Sequence, residues 1–150
     1  MTAPIRTTAP ATSGQLATFW LDGDLYGIEV EHVQEVLRSQ QLTRVPLAPT
    51  AVAGLINLRG QVVTAIELRE RLGRPPRPEG TDAVIIVVRL HGEAVSLLVD
   101  SIADVVDVDA ADFEAPPDTL EGQARDLIRG AYKLHGQLLL ALDVQRAVSA

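Results

Sequence analysis

The sequence predicts a mainly β protein made of two copies of one small barrel-like unit, with a few short helices. Three observations predict it. The apolar residues are mostly Val, Leu, Ile and Ala, with only 3% aromatics, and β-branched residues favour strands. Short apolar runs alternate with glycine-containing turns, and the same order of segments occurs in both halves of the chain. Short strands need closure into a barrel to bury a core and protect their edges.

Composition excludes several classes of protein. The net charge of -7 argues against a nucleic-acid partner, which requires a basic surface. The chain has no cysteine, so it has no disulfide and no thiolate ligand or nucleophile, as is usual in a reducing cytoplasm. Its apolar runs are far shorter than the roughly 18 residues of a membrane span, which argues against direct membrane insertion. Residues 1–15 are rich in Thr, Ala and Pro and predict a disordered tail rather than a signal peptide.

A β-hairpin opens each half of the chain. Residues 16–21 and 25–30 are apolar runs joined by Asp22-Gly23-Asp24, a strong turn signal. In the second half, residues 88–93 followed by residues 94–99 repeat the pattern, with Gly92 in the place of Gly23. The two hairpins therefore predict equivalent starts for the two units.

A short segment with helical spacing follows each hairpin. The segments are EHVQEVL and DSIADVV, and the apolar residues at helical spacing are Val33, Val36, Leu37, Ile102, Val105 and Val106. Each segment carries an acid at the matching place, Glu35 and Asp104. This spacing predicts two short helices, each with an acidic residue on its outer face.

Proline-containing connectors lead from these segments to the last hairpin of each unit. The connectors are VPLAP and APP, and proline excludes both from the interior of a regular element. The hairpins have the turns Leu58-Arg59-Gly60-Gln61 and Leu134-His135-Gly136-Gln137. Glycine in the third position predicts a type II turn that leaves Arg59 at the tip. A short helix over residues 144–147 ends the second unit.

These segments divide the chain into a tail over residues 1–15 and a single domain over residues 16–148. Within the domain, the first subdomain is predicted at about 16–72, an exposed linker rich in Pro and Gly at 73–82, and the second subdomain at about 83–148. The matching order of three segments indicates an internal duplication.

No constellation of catalytic or metal-binding residues is found in the sequence. Its three histidines, His32, His91 and His135, are isolated from one another and fit no metal-ligand spacing. The acidic segment after Asp100 lacks the glycine and glutamate of a calcium loop. Nucleophile elbows and phosphate-binding loops are also absent. We therefore expect no enzyme, metal or cofactor, with a small β-barrel hydrolase that uses carboxylates as the alternative.

The arginine at the hairpin tip has two interpretations. Arg59 is either a solvated turn residue that keeps a sheet edge soluble or a docking residue. Asn57 lies on the same face and either holds the arginine or caps the turn. Gly54 predicts a tight entry into the strand, and Glu35 is either solvated or part of the same surface.

Several motifs together resemble the CheW family of chemotaxis adaptors. They are YGIEVEHVQEV, TRVP, GLINLRGQVV, LLVDSIADVVDV and the ending G-x(5)-GQLLLALDV, in the order of that family. The Asn-x-Arg-Gly element is the most specific of them. Thr64 and Glu67 depart from the family, where proline and aspartate are common, and these changes bear on partner preference.

The resemblance implies a pair of SH3-like five-stranded β-barrels and no catalysis. It implies an adaptor that couples the cytoplasmic tip of methyl-accepting chemotaxis receptors to the regulatory domain of the histidine kinase CheA, and that contacts other CheW-like domains. The location implied is cytoplasmic, at membrane-associated or cytoplasmic receptor arrays. Flagellar control is one output, and control of pili, gliding or a second messenger is the alternative.

Carried over position by position, the resemblance implies a receptor-binding set. Its members are Val33, Glu35, Gly54, Asn57 and Arg59, with Val99 and Ile102 lining a groove between the barrels. It identifies no residues for the kinase contact.

Overall fold

The structure, a computed structural model, describes residues 14–38 and 41–149. These residues form eleven strands and three short α-helices. The strands are β1 (Gly14–Leu21), β2 (Asp24–Glu29), β3 (Val33–Leu37), β4 (Val52–Leu58), β5 (Gln61–Glu67), β6 (Val84–Leu90), β7 (Glu93–Val99), β8 (Ser101–Val108), β9 (Phe113–Glu114), β10 (Ile128–Leu134) and β11 (Gln137–Leu142). The helices are α1 (Leu68–Arg71), α2 (Gly122–Leu127) and α3 (Val144–Val148). The predicted mainly β class is confirmed.

Two sheets contain all of these strands. Sheet A has the order β8-β1-β2-β11-β10-β9, and sheet B has the order β3-β6-β7-β5-β4. All neighbours are antiparallel except two pairs, β2 with β11 and β5 with β7. Both parallel pairs join hairpins from different halves of the chain. Sheet B has the predicted five strands, and sheet A adds the two-residue β9 as a sixth.

The sheets correct the predicted subdomain boundaries. Sheet A combines β1 and β2 with strands from residues 101–142, and sheet B takes β6 and β7 from the second predicted unit. The contiguous ranges 16–72 and 83–148 are therefore wrong as descriptions of the two sheets. A turn dictates which strands pair within a hairpin. Burial of apolar surface across the whole molecule decides which hairpins lie next to each other. Local sequence does not encode this burial.

The strand orders nevertheless support the predicted duplication. Position by position, β8, β1, β2, β11 and β10 in sheet A correspond to β3, β6, β7, β5 and β4 in sheet B. The register shifts at Gly54 in β4 and at Gly130 in β10, so the bulges are equivalent as well. Each half contributes its first hairpin to one sheet and its remaining strands to the other.

The two segments with helical spacing are strands, which is a further correction. A single 3₁₀ turn covers Val30–His32, and the chain then extends as β3. The equivalent residues form β8 throughout. Exposure along β3 alternates residue by residue, as a half-buried strand requires. Both segments are rich in valine, and pairing with β6 and β1 outweighs the weak helical spacing.

Three apolar clusters hold the fold together. One lies inside sheet B and includes Ile85 and Val87, and one lies inside sheet A. The largest lies between the sheets and includes Ile86 and Val88. Alternate residues of β6 thus face two different cores, which explains why its sequence is continuously apolar.

The predicted linker, residues 73–82, is partly exposed. Hydrogen bonds and ion pairs of arginine side chains hold it against the rest of the domain. Arg77 binds Glu67 (Nη1–Oε1 2.8 Å) and Asp100 (Nε–Oδ1 3.2 Å). Arg69, which is only 7% exposed, donates to both carboxylate oxygens of Asp100 at 2.9 and 2.6 Å. Burial would raise the pKa of Asp100, but hydrogen bonds from Arg69 and from the Asp22 N–H hold that pKa below its usual value.

The predicted tail lies mostly outside the described residues. Of residues 1–15, the structure describes Gly14 and Gln15, and both belong to β1. The ordered domain therefore begins at least two residues earlier than the sequence predicted.

Candidate docking surface

The turn between β4 and β5 holds Arg59 in a fixed orientation. Arg59 and Gly60 both have positive φ, 51° and 88°, so this is a type I′ turn and the predicted type II turn is wrong. A two-residue turn of this type matches the right-handed twist of the two strands. The Oδ1 atom of Asn57 accepts a hydrogen bond from the Gly60 N–H at 2.8 Å, so of its two expected roles the structure shows the turn cap.

Glu35 on β3 binds the guanidinium of Arg59. Glu35 Oε1 accepts from Arg59 Nη1 at 3.2 Å, and Oε2 makes a second, closer contact with Nη2. The arginine side chain is 68% exposed and the glutamate side chain 23% exposed. The hydrogen bonds from Arg59 hold the pKa of Glu35 below its usual value. This two-point contact fixes the plane of the guanidinium while leaving most of it open to a partner.

Val33 begins the strand that carries Glu35. Its side chain is half-buried and packs against the core between the two sheets. Val33 pairs with Val88 of β6, and the register shifts before Glu35. Pairing with β6 and packing of Val33 against the core therefore anchor β3. This anchoring fixes the positions of the Val33 and Glu35 side chains.

Gly54 is required by a close approach of backbone. Thr43 forms an isolated bridge with Leu55, with N–O distances of 2.9 and 2.8 Å. A Cβ atom on Gly54 would lie 2.6 Å from the carbonyl oxygen of Thr43. Gly54 is itself buried. It shapes the entry into β4, as the sequence predicted, and presents no side chain to a partner.

The two residues predicted to line a groove differ in accessibility. Ile102 lies on β8 and is 40% exposed, so its side chain forms part of the surface of sheet A. Val99 is 0% exposed and belongs to the core between the sheets. The expectation that Val99 faces a partner is wrong for this structure, because apolar clusters cover both faces of β7 and Val99 lies in the cluster between the sheets. Sequence pattern alone does not tell whether both faces of an apolar strand are covered.

Sequence reasoning missed two exposed valines on the strands of sheet B. Val36 follows Glu35 on β3 and is 47% exposed, and Val62 on β5 is 62% exposed. Val62 lies directly opposite Asn57 in the antiparallel register, so the two side chains share a face. If residues 33–37 are interpreted as a strand with a period of two, Val36 is predicted to face outward.

We define the candidate docking surface as Val33, Glu35, Val36, Asn57, Arg59 and Val62. It combines apolar area with one oriented cation, a chemistry suited to protein recognition. Within residues 14–38 and 41–149, no three His, Cys, Asp or Glu side chains are placed to hold a metal ion. In the same described residues, no helix is both long and apolar enough to cross a membrane.

The fold defines a class of β proteins built from two packed sheets, with a candidate docking surface that includes an ion pair between the two edges of sheet B. The chain belongs to the family described as CheW-like domain, whose model matches residues 15–150. This match confirms the resemblance identified in the sequence.

Individual relatives agree with this family. The chain is 31% identical over 143 residues to the chemotaxis protein CheW of Bacillus subtilis, covering 95% of this chain and 88% of the relative. It is 29% identical over 140 residues to CheW of Treponema pallidum, covering 91% of this chain and 82% of the relative. Among solved structures, the scaffolding protein TtCheW of Thermoanaerobacter tengcongensis is similar, with a TM-score of 0.77 and 28% identity over 87% of this chain and 89% of that one.

Proposed function

We propose that this chain is a non-enzymatic adaptor that couples methyl-accepting chemotaxis receptors to the histidine kinase CheA in a bacterial chemosensory array. The observation that carries the proposal is the family match over residues 15–150, which spans both sheets. The similar structure of a scaffolding protein supports a role in assembly rather than in catalysis. An adaptor of this kind acts in the cytoplasm, where the receptor tip and the kinase meet.

The candidate docking surface is proposed to receive the receptor tip. That tip is a helical hairpin, and a helix docks its apolar side on an apolar surface rimmed by charge. The exposed parts of Val33, Val36 and Val62 supply the apolar area. Arg59 supplies a charge-assisted hydrogen bond to a receptor carboxylate or carbonyl, which fixes the register of the helix.

Glu35 and Asn57 act by orienting this surface. Glu35 binds two nitrogens of Arg59, and Asn57 caps the turn that carries it. A guanidinium has five N–H donors, so two contacts with Glu35 leave others for a partner. Ile102 extends the proposed contact onto sheet A, whereas Gly54 contributes through the shape of β4.

Calorimetric titration of the cognate receptor tip tests the proposal. We expect wild type to bind both the tip and full-length CheA, and Arg59→Glu to keep its fold and CheA binding while it loses the tip. Truncation or reversal of an anchoring residue typically weakens binding by about 1 to 4 kcal/mol. The matched control is Arg146→Glu on α3, because its side chain is 69% exposed. Equal receptor affinity of Arg59→Glu and wild type would refute the site, and wild type that binds neither partner would refute the function.

A further inference from the structure

Part of the linker before β6 borders a cavity. We call residues 75–82 the strap. A cavity of about 520 Å³ is lined by residues of the strap, among them Arg77 and Asp82. Ile85 and Leu98, two members of the apolar cluster inside sheet B, line the same cavity. The strap therefore shares this cavity with the interior of sheet B.

Apolar burial does not hold the strap in place. Of its eight residues, all of which the structure describes, seven are exposed and only Arg77 is turned inward, with a side chain that is 11% exposed. The flanking residues are anchored. Arg74 donates to the Tyr26 hydroxyl at 3.0 Å, and Ala83 packs against the cluster inside sheet B. The strap is thus fixed at both ends and has little hydrophobic contribution between them.

Guanidinium groups make the contacts that hold the strap. Among the described residues, every hydrogen bond between the strap and the rest of the domain comes from Arg69 or Arg77. Arg69 Nη1 donates to the carbonyls of Pro75 and Pro76 at 2.9 and 3.4 Å. Arg77 Nε donates to Asp100 Oδ1 at 3.2 Å. Salt screens ion pairs near the surface, so these contacts are sensitive to ionic strength.

Glu67 accepts the remaining two hydrogen bonds of Arg77. Its Oε1 accepts from Nη1 at 2.8 Å and its Oε2 from Nη2 at 3.1 Å. A two-point contact between a carboxylate and a guanidinium is among the stronger polar contacts in proteins. Aspartate is common at this position in the family, so the departure at Glu67 concerns a contact within the chain.

Three prolines limit what the strap gains by release. Pro75, Pro76 and Pro78 restrict φ, so an open strap gains less conformational entropy than a flexible loop would. The Thr81 N–H and hydroxyl both donate to the Pro78 carbonyl, at 3.3 and 2.6 Å, and this turn does not depend on the rest of the domain. Segments with few apolar contacts open locally at a lower free energy than global unfolding requires.

We propose that the strap is a lid that opens as a unit, with both sheets still folded, when Arg77 leaves Glu67 and Asp100. Opening widens access to the cavity beside Ile85 and Leu98. Screening of the ion pairs by salt favours the open form. This inference concerns a conformational change within the chain and does not depend on the proposed function.

Limited proteolysis with a glutamyl endopeptidase tests the lid. Glu79 is exposed within the strap, and cleavage after it reports the population of the open form. We compare wild type with Arg77→Gln in the strap and Glu67→Gln outside it, and identify the cleavage sites by mass spectrometry. Cleavage after Glu79 is expected to rise at least about fivefold in both variants. The matched control is Glu70→Gln, because Glu70 is exposed, and it is expected to be cleaved at the wild-type rate.

Salt dependence provides a second readout. Cleavage of wild type after Glu79, normalised to an unstructured peptide, is expected to increase from about 0.05 M to about 0.5 M salt, and to increase less in the two variants. Equal cleavage after Glu79 in wild type and both variants would overturn the lid. Faster cleavage that extends to glutamates in the sheets, with a matching fall in melting temperature, would show global unfolding and overturn a separate opening of the strap.

Discussion

Glu35 and Arg59 form an ion pair between the two opposite edges of sheet B. Glu35 lies on the edge strand β3, and Arg59 lies in the turn after the other edge strand, β4. The residues are 24 positions apart, and a flat five-stranded sheet would hold its edges far apart. The ion pair therefore exists because the sheet curls and brings its two edges together.

Exchanging the charges of Glu35 and Arg59 tests whether Arg59 contacts the receptor directly or acts only within the chain. The double variant Glu35→Arg with Arg59→Glu restores an ion pair of reversed polarity within the chain. We expect it to unfold at nearly the wild-type temperature, because an exposed ion pair contributes little to stability. We expect receptor-tip binding to stay weak in titration, because the partner still meets a carboxylate at the turn. Full recovery of binding would assign Arg59 a role within the chain instead.

The buried glycines at the two equivalent bulges, Gly54 and Gly130, predict matched losses of stability. A Cβ on Gly54 would lie 2.6 Å from the Thr43 oxygen, and one on Gly130 would lie 2.5 Å from the Glu114 oxygen. Both carbonyls belong to backbone that pairs with a neighbouring strand and yields little, so we expect each alanine variant to lose about 1 to 3 kcal/mol in denaturant unfolding. The control is Gly23→Asn in an open turn, where the change is expected within about 0.5 kcal/mol. Equal stabilities for all three variants would contradict the close approach.

Val99 and Ile102 provide a test of the corrected site. Val99→Ala removes fully buried methyl groups, and we expect it to cost about 2 kcal/mol of unfolding free energy. Ile102 is 40% exposed, and we expect Ile102→Ala to cost under about 1 kcal/mol. Chemical denaturation of both variants measures the difference. A larger loss for Ile102→Ala would show that the burial assignment is reversed.

The Arg69–Asp100 pair predicts a pH dependence of stability. The pKa of Asp100 is lowered in the folded state, so the folded protein binds fewer protons at this carboxyl than the unfolded chain does. Its contribution is complete above the unfolded pKa of about 3.9 and is lost as the pH falls through the lower folded pKa. Near pH 7 we expect Asp100→Asn to be less stable than wild type by about 2 kcal/mol.

Denaturation curves at several pH values check this sign. The gap between wild type and Asp100→Asn should narrow below about pH 4, because wild type then loses its own charge. Asp82→Asn is a suitable control, since Asp82 is exposed. A gap that widens with acid would show that the carboxyl is not stabilised in its charged form.

The exchange of hairpins predicts that neither half of the chain folds alone. Residues 83–150 lack β1 and β2, on which β8 and β11 pair, and residues 1–72 lack β6 and β7, which join β3 to β5. Isolated hairpins are marginal at best in water. We expect each fragment to lack a cooperative thermal transition by circular dichroism, and the mixture to regain one. A cooperative transition in either fragment alone would support the contiguous subdomains.

Local elements follow from the sequence where the signal is local. Glycine-containing turns and alternating apolar residues predict the hairpins around Gly23, Gly92, Gly60 and Gly136, because each hairpin needs only its own residues to pair. The segments after the first hairpins are predicted as helices but form strands, because three apolar residues in seven fit a helix and a half-buried strand alike. Pairing with β6 and β1 decided between them.

The sequence by itself determined the mainly β class, the internal repeat and the family. All of these depend on residues close together in the chain or on a motif carried by a single stretch. Tertiary structure alone decided that the hairpins exchange between sheets, that Val99 turns inward and that Arg59 meets Glu35. Each of these depends on which distant surfaces are buried together, and burial is a property of the whole folded chain rather than of any segment.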